Sequence, residues 1–407
     1  METGARDMQD MFFGPFGKLY SFSTIYVSAS RPTPYTLGYV DFPNGVRVLA
    51  HVRCEDLSAL YCDMPVSTAT DGNDWFVTPM SAENYTGLAL PAILNAMASA
   101  GVQAQDIDAV VCGHAFGGML TGQRLVKEIG IGTVPVVNCD NACSGGATAI
   151  HLAWKDIQAG RHDVVLVIGV DKLTQFGGGT LPLVQEDPEV QQGLVMPAVY
   201  GMRARRYLHE RNLGPEVLAQ VSIKARTHSK HNPYAQYRDP LTVEQVLASR
   251  PICDPLTLLQ CCPTGDGAAA LVMVSERALK RLQKPAMRVA ASVLHSGQAT
   301  SGFRDMTRPE ISAESARDAY KMAGITAQDL DAVELHDAFT IAELIYYEAL
   351  VGASGVAQAV EMYWQLTHQA GERQVPDARY AMTHVTGGGI AGLDHGACAI
   401  HIFEAQI

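Results

Sequence analysis

The residues best suited to chemistry are Cys143 and the glycines beside it. The run from Val134 to Ala147 reads Val-Pro-Val-Val-Asn-Cys-Asp-Asn-Ala-Cys-Ser-Gly-Gly-Ala. Apolar, strand-favouring residues lead into a short polar turn. Cys143 and Ser144-Gly145-Gly146 follow, and then a helical stretch to Gln158. This places a thiol where a strand turns into a helix. The first turn of a helix carries unpaired N–H groups and a partial positive charge. Both favour thiolate, the nucleophilic form of cysteine. The glycines leave room for a substrate carbonyl to approach the backbone. Covalent acyl transfer through sulfur needs these features. The same short pattern also fits a buried structural cysteine, the commoner fate of a free thiol.

Two histidines sit at strand ends, where α/β proteins place their sites. His336 lies in Glu334-Leu-His-Asp-Ala-Phe339, and His384 in Ala381-Met-Thr-His-Val-Thr-Gly-Gly-Gly389. Histidine is the usual acid/base at neutral pH. Gly387, Gly388 and Gly389 offer bare N–H groups that could face an oxyanion. His114, in Gly113-His-Ala-Phe-Gly-Gly118, is a further candidate for the substrate pocket. Each histidine alone fits a structural role equally well. His228 and His231 read as a solvated surface, and adjacent Cys261-Cys262 as a buried strand edge.

These residues need a scaffold, and its pattern changes along the chain. Residues 12 to about 70 are rich in β-branched and aromatic residues. Pro43-Asn-Gly45 separates two alternating segments, a hairpin signal. This part, residues 1–70, reads as a small all-β barrel, followed by a linker over 71–82. From Glu83 helix and strand alternate. Strands are predicted at 107–113, 163–169, 268–274, 287–294, 332–335, 379–384 and 397–404. Helices are predicted at 83–100, 147–158, 215–228, 310–323, 341–350 and 356–369. Two α/β sets of similar layout, 83–276 and 277–407, suggest a duplicated α/β fold with helices around two sheets. Residues 171 to about 265 form an irregular cover within the first.

Composition narrows the function classes. The chain has 407 residues, 47% of them hydrophobic, enough for a large core. A net charge of −12 without a basic block argues against nucleic acid as a partner. No apolar run spans a bilayer, and the polar N-terminus lacks a signal-peptide core. A cytoplasmic protein is expected. Its nine cysteines include no CxxC pair, so reduced thiols are expected and no metal.

From about residue 83 the chain resembles the thiolase superfamily, and especially its sterol carrier protein branch. The resemblance runs through Gly122-Gln-Arg124, the Cys143 turn, Tyr200-Gly-Met-Arg-Ala-Arg-Arg-Tyr207, Cys261-Cys-Pro-Thr-Gly-Asp-Gly-Ala-Ala269 and His336-Asp-Ala-Phe339. It continues through Trp364-Gln-Leu366 and Arg373-Gln-Val-Pro376. It implies the thiolase fold and a CoA thioester substrate, with no metal or other cofactor. It further implies a homodimer or larger homo-oligomer, with Cys143 carrying the acyl group. His336 matches the position that helps hold an oxyanion-hole water, and His384 stands at the second acid/base position. Residues 12–70 resemble the OB-fold domain of acyl-CoA-associated proteins, without the zinc ribbon those usually carry.

Two parts of the family pattern are missing. The first strand that precedes the Glu83 helix is absent near residues 70–80. Where the family carries Gly-His-Pro-x-Gly-Ala-(Ser/Thr)-Gly, this chain has Glu348-Ala-Leu-Val-Gly-Ala-Ser-Gly355. Either the histidine that activates the nucleophilic cysteine is lost, or further residues lie between Leu350 and Val351; the second is expected, so that Leu350 and Val351 are not bonded neighbours in space. The leading expectation is a thiolase-type acyl-CoA C-acyltransferase. One alternative is a retro-aldol lyase acting on a β-hydroxyacyl-CoA, and another is a non-catalytic acyl-CoA-binding scaffold.

Overall fold

The computed structural model describes residues 16–26, 32–43, 45–54, 56–71, 74–79, 84–177, 179–298, 304–349, 355–389 and 395–406. The expectation about Leu350 and Val351 lies outside the described residues, as does Asn44 of the Asn-Gly turn. The described residues form two compact units. One comprises residues up to Pro91 with Arg124–Gly132, and the other Ala92–Gln123 with Thr133 onward.

The first unit contains a closed barrel of five strands, β1 (Phe16–Ile25), β2 (Tyr35–Asp41), β3 (Arg47–Val52), β4 (Met64–Asp71) and β5 (Asp74–Pro79), in the order β1-β2-β3-β5-β4. The alternation read from the sequence fills its interior. Leu19, Val40, Val52, Val66 and Val77 are buried together. The expected linker over 71–82 is corrected here, because Asp74–Pro79 is the strand that closes the barrel. It pairs antiparallel with β4 along its length and meets β3 at Val52↔Val77. Trp75, Phe76 and Val77 supply strand-favouring residues just after the polar sequence Asp71-Gly-Asn-Asp74, a short signal beside that polar run.

Helix α1 (Tyr85–Ala100) leads into β6 (Ala109–Gly113), α2 (Thr121–Val126), β7 (Val136–Cys139), α3 (Gly145–Gln158) and β8 (Val164–Lys172). The cover follows, with α4 (Pro188–Gln191), α5 (Met196–Arg211), α6 (Glu216–Ser229), α7 (Val243–Leu247) and the short pair β9 (Pro251–Cys253) and β10 (Leu256–Thr257). β11 (Asp266–Val274) completes a four-stranded sheet ordered β11-β8-β6-β7. After α8 (Glu276–Leu282) come β12 (Met287–His295), α9 (Glu310–Ala323), β13 (Ala332–Leu335), α10 (Thr340–Ala349), α11 (Gly355–Leu366), β14 (Tyr380–Gly387) and β15 (Ala397–Ala405). These give a second sheet ordered β12-β15-β14-β13.

The duplication inferred from the pattern appears in the pairing. β6 runs parallel to β8, which is antiparallel to β11. In the same way β13 runs parallel to β14, which is antiparallel to β15. α3 touches strands of both sheets, as does α11, so these helices form the layer between them. Ala149, Ile150 and Ala153 of α3, at helical spacing, join Val165, Val167, Met362 and Phe403 in one core. α9 covers the second sheet, with Ile311, Ala316 and Ala319 buried against it. Among the described residues no helix is long and apolar enough to cross a membrane.

A buried polar chain ties α3 to the second sheet. His401 Nε2–H donates to the Ala147 carbonyl at 3.0 Å. His401 Nδ1 therefore accepts from Ser292 Oγ at 2.9 Å, and Ser292 Oγ accepts from His151 Nδ1 at 2.9 Å. Burial holds His401 neutral by pushing it down to about 3, as this bond pattern requires. Ser292→Ala removes the middle link and leaves the buried His401 Nδ1 without its partner. The expected loss is about 1–3 kcal/mol of stability, read as a lowered midpoint in urea unfolding. An unchanged midpoint would contradict the tie.

Candidate functional site

The turn expected at Cys143 is present. β7 ends at Cys139, Ala142 adopts φ 49°, and Ser144 caps α3, which starts at Gly145. Asp140 Oδ1 accepts from the Ala142 N–H at 2.8 Å and Asn141 O from the Ser144 N–H at 3.0 Å, which fixes the turn. The second half of the molecule supplies the opposing wall. β14 ends at Gly387, where a Cβ would overlap the Asn141 carbonyl and crowd Ser144. Gly388 follows with φ +62°, a conformation suited to glycine. Its backbone and that of Cys143 itself favour the Cys143 thiolate.

The helix-terminus argument predicts an easily ionised Cys143, and here the structure corrects it. Burial raises its pKa, and the nearby Asp171 carboxylate raises it further. The backbone of Gly388 and that of Cys143 oppose this but do not win. The sulfur reaches solvent, yet most of its surroundings are protein. Less thiolate therefore exists at pH 7 than for a free cysteine, whose pKa is about 8.5. Alkylation of Cys143 by iodoacetamide is expected to rise with a midpoint above that value. A midpoint below pH 8 would show that the helix end and the Gly388 backbone outweigh burial.

His336 and Asp337 follow the end of β13, next to the segment that carries Cys262. The Cys262 N–H donates to the Ala338 carbonyl at 2.9 Å. Cys261 bridges Phe339, as expected of a strand edge, but Cys262 is not buried there. It is solvent-accessible and close enough to Cys143 for the two charges to interact. Although an edge of Cys262 reaches solvent, the protein packed around it, followed by the charges of Cys143 and Asp337, pushes its thiol up to about 12. Burial pushes Asp337 up to about 6, with Glu343 adding to the effect. His336 is lowered by burial despite the Asp337 carboxylate, so its imidazole is neutral at pH 7 and able to accept a proton.

His384 lies inside β14, fully buried. Its Nε2 meets Ser312 Oγ at 2.9 Å and its ring packs edge-on to Tyr346 at 5.0 Å. Burial and then the nearby His395 and His336 hold it well below the ordinary histidine range. Its Nδ1 has no partner among the described residues. His114 is buried behind the Cys143 turn and its Nδ1 accepts from the Gly117 N–H at 3.3 Å. Asp171 accepts from the N–H groups of Ala115 and Phe116 at 2.8 and 2.9 Å, which ties the His114 loop to the carboxylate facing Cys143. His228 and His231 are exposed, as expected.

Sequence reasoning missed Cys262 and Asp171. Cys262 follows a second cysteine, which suggested packing. Asp171 stands at the end of an apolar strand, and a carboxylate there was a usable signal.

Comparison with known proteins agrees with this layout. The sequence model of the thiolase N-terminal domain matches residues 72–277. The thiolase C-terminal domain-like model matches in two stretches, 292–352 and 350–395, which meet where the Gly-His-Pro is missing. The model of the ChsH2 C-terminal OB-fold domain matches residues 13–71. The chain is similar to the benzoylsuccinyl-CoA thiolase subunit BbsB of Thauera aromatica, 39% identical over 326 residues, covering 70% of this chain and 84% of that one. An acetyl-CoA acetyltransferase of Methanothermobacter thermautotrophicus is 32% identical over 385 residues, covering 83% and 98%. Among solved structures, an Ltp2-ChsH2(DUF35) aldolase shares the fold with a TM-score of 0.69 at 23% identity, covering 80% of this chain and 94% of that chain.

Proposed function

Since the chain belongs to the thiolase family and is a thiolase-type acyltransferase acting on acyl-CoA, we propose that Cys143 is the residue that carries the acyl group. The observation that carries this is the close approach of the glycine loop after β14 to the turn that holds Cys143, where Gly387 packs against the Asn141 carbonyl and Ser144 and the Gly388 backbone favours the thiolate. A thioester carbonyl carbon bonded to the Cys143 sulfur would place its oxygen near the backbone of this loop, as an oxyanion hole requires. The Cys143 sulfur attacks the carbonyl carbon, the C–S bond to CoA breaks, and CoA leaves as its thiol with the proton that Cys143 gives up. A second CoA thiol or a carbon nucleophile next to a thioester then takes the acyl group from Cys143. The raised Cys143 pKa means that a base must assist, and neutral His336 is the candidate nearest in chemistry. His384 would serve at the second acid/base position. Gly387 and Gly389 would shape the loop, and His114 would border the substrate.

The proposal includes a homodimer or larger homo-oligomer acting in the cytoplasm, with the CoA thioester as substrate and no metal or further cofactor. Light scattering during size-exclusion chromatography tests the oligomer. Acyl labelling by acetyl-CoA tests the chemistry: Cys143→Ala should abolish the covalent adduct.

One observation favours a second reading. The Cys143 thiol is raised by burial, and the given sequence has no Gly-His-Pro before Gly352, whereas the glycine loop beside Cys143 and a neutral His336 are present. A retro-aldol lyase needs only these. A base takes the proton of a β-hydroxyl, the Cα–Cβ bond breaks, and the backbone of the same loop holds the enolate of the departing acyl-CoA. Lyase turnover that survives Cys143→Ala would establish it.

A further inference from the structure

A buried polar cluster stands behind the glycine loop that meets the Cys143 turn. Its centre is Tyr346 of α10, fully buried in a core with Phe339, Ile341 and Ile345. The Tyr346 hydroxyl meets Thr386 Oγ1 at 2.8 Å and His395 Nε2 at 3.4 Å. The Tyr200 hydroxyl, on α5, reaches the same His395 nitrogen at 3.4 Å. The Tyr346 ring also lies edge-on to His384, with 5.0 Å between centroids. A phenol donates one hydrogen bond and accepts others, so a single hydroxyl can hold both partners. Burial keeps Tyr346 protonated, well above the ordinary tyrosine range, so the donor persists at neutral pH.

The two partners sit on the two arms of the loop. Thr386 precedes Gly387 at the end of β14, and Gly387 is the residue packed against the Asn141 carbonyl and Ser144. His395 precedes Gly396, whose N–H donates to the Gly388 carbonyl at 3.2 Å. The His395 carbonyl accepts from the Gly297 N–H at 3.1 Å, which fixes this arm from behind. α10 thus grips both the strand that enters the loop and the chain that returns from it. Apolar packing alone would be served by phenylalanine, which spares the cost of burying a hydroxyl. The bonds to Thr386 and His395 are what tyrosine adds.

We propose that Tyr346 is a positioning residue: its hydroxyl clips the two arms of the Gly387–Gly389 loop together and so sets where the Gly388 backbone stands against Cys143. Its effect on turnover rests on the reading of Cys143 as the acyl carrier, whereas its effect on the thiol does not. Releasing the clip lets the Gly388 backbone move away from the thiol. That backbone favours the thiolate, so its displacement raises the pH at which Cys143 ionises. The other groups that bear on the thiol are its own backbone, Asp171 and Cys262, and none of them bonds to the Tyr346 hydroxyl. Around Tyr346 itself stand Tyr200, Arg203, His384 and His395.

The test uses the full chain with Tyr346→Phe, with Thr386→Val and with both. Tyr346→Phe keeps the ring against His384 and removes only the hydroxyl. Alkylation of Cys143 by iodoacetamide is followed across pH at its own peptide by mass spectrometry, beside a urea unfolding curve for each protein. The clip predicts that the alkylation midpoint rises by roughly half a pH unit or more in Tyr346→Phe, and rises in Thr386→Val as well. The double variant should shift no further than Tyr346→Phe alone, because Thr386 acts through the hydroxyl. In Tyr346→Phe kcat should fall roughly 10- to 100-fold at little-changed KM. A hydroxyl that only stabilises the fold would lower the urea midpoint and leave the alkylation profile in place, which would overturn the inference. So would additive shifts in the double variant. If Tyr346→Phe does not fold, an unmoved profile in Thr386→Val overturns it by itself. A shifted profile with unchanged turnover would uphold the clip and count against Cys143 as the acyl carrier.

Discussion

Cys143→Ala is expected to lower acyl-transfer turnover by a factor on the order of 10³ to 10⁶, the range seen when a covalent nucleophile is removed. The fold should survive. Ala142 and Ser144 keep their bonds to Asp140 and Asn141, and α3 is held from below by His401 at Ala147. The loss should fall on kcat more than on KM, because the sulfur takes part only as the C–S bond forms. Stopped-assay kinetics with acetyl-CoA, beside a urea unfolding curve, separate the two. A variant that keeps wild-type turnover would remove Cys143 from the chemistry. One that loses turnover only because it unfolds would show a shifted midpoint.

Gly387→Ala should be nearly as damaging for a different reason. The new Cβ overlaps the Asn141 carbonyl and crowds Ser144, and all of these are main-chain or buried atoms with little room to yield. Either the Cys143 turn or the end of β14 must move, and the Gly388 backbone moves with it. Displacing one oxyanion donor costs about 10²–10³ in kcat. Overpacking adds about 1–3 kcal/mol of lost stability. Gly389 is the internal control: a Cβ there meets open space, so Gly389→Ala should unfold at the wild-type midpoint. Equal midpoints and equal rates for Gly387→Ala and wild type would mean that the loop does not approach Cys143 as closely as described.

Legibility in the sequence followed the range of the forces involved. Local periodicity was reliable. α9 spans Glu310–Ala323 and β13 spans Ala332–Leu335, as the pattern predicts. The uniformly apolar Val164–Val170 stretch announced a strand covered on both faces. The Cys143 turn was legible for the same reason, since strand, glycines and helix are contiguous. α5 was not, because Gly201 and four arginines break any apolar stripe along Met196–Arg211. Its buried face is made by Tyr200, Ala204 and Tyr207 packing against α10, a contact with residues far along the chain. β5 escaped because a strand that closes a barrel looks, in isolation, like a short linker.

Within the site the same division holds. The glycine loop was readable in the sequence as bare backbone at a strand end, and Gly387 packs against the Cys143 turn. The direction of the Cys143 pKa was not readable. The helix end is a local feature, whereas desolvation and Asp171 arise from how distant segments pack. Cys262 enters the site through its bond to Ala338, across a separation that no spacing rule reveals.

The central claim is that Cys143 becomes acylated. The most direct measurement is intact-protein mass spectrometry after incubation with acetyl-CoA and with longer and aromatic acyl-CoAs, followed by peptide mapping. The account predicts one added acyl group, mapped to the peptide containing Cys143 and absent from Cys143→Ala. A protein that turns over acyl-CoA while no thioester leaves an adduct on Cys143 would contradict it.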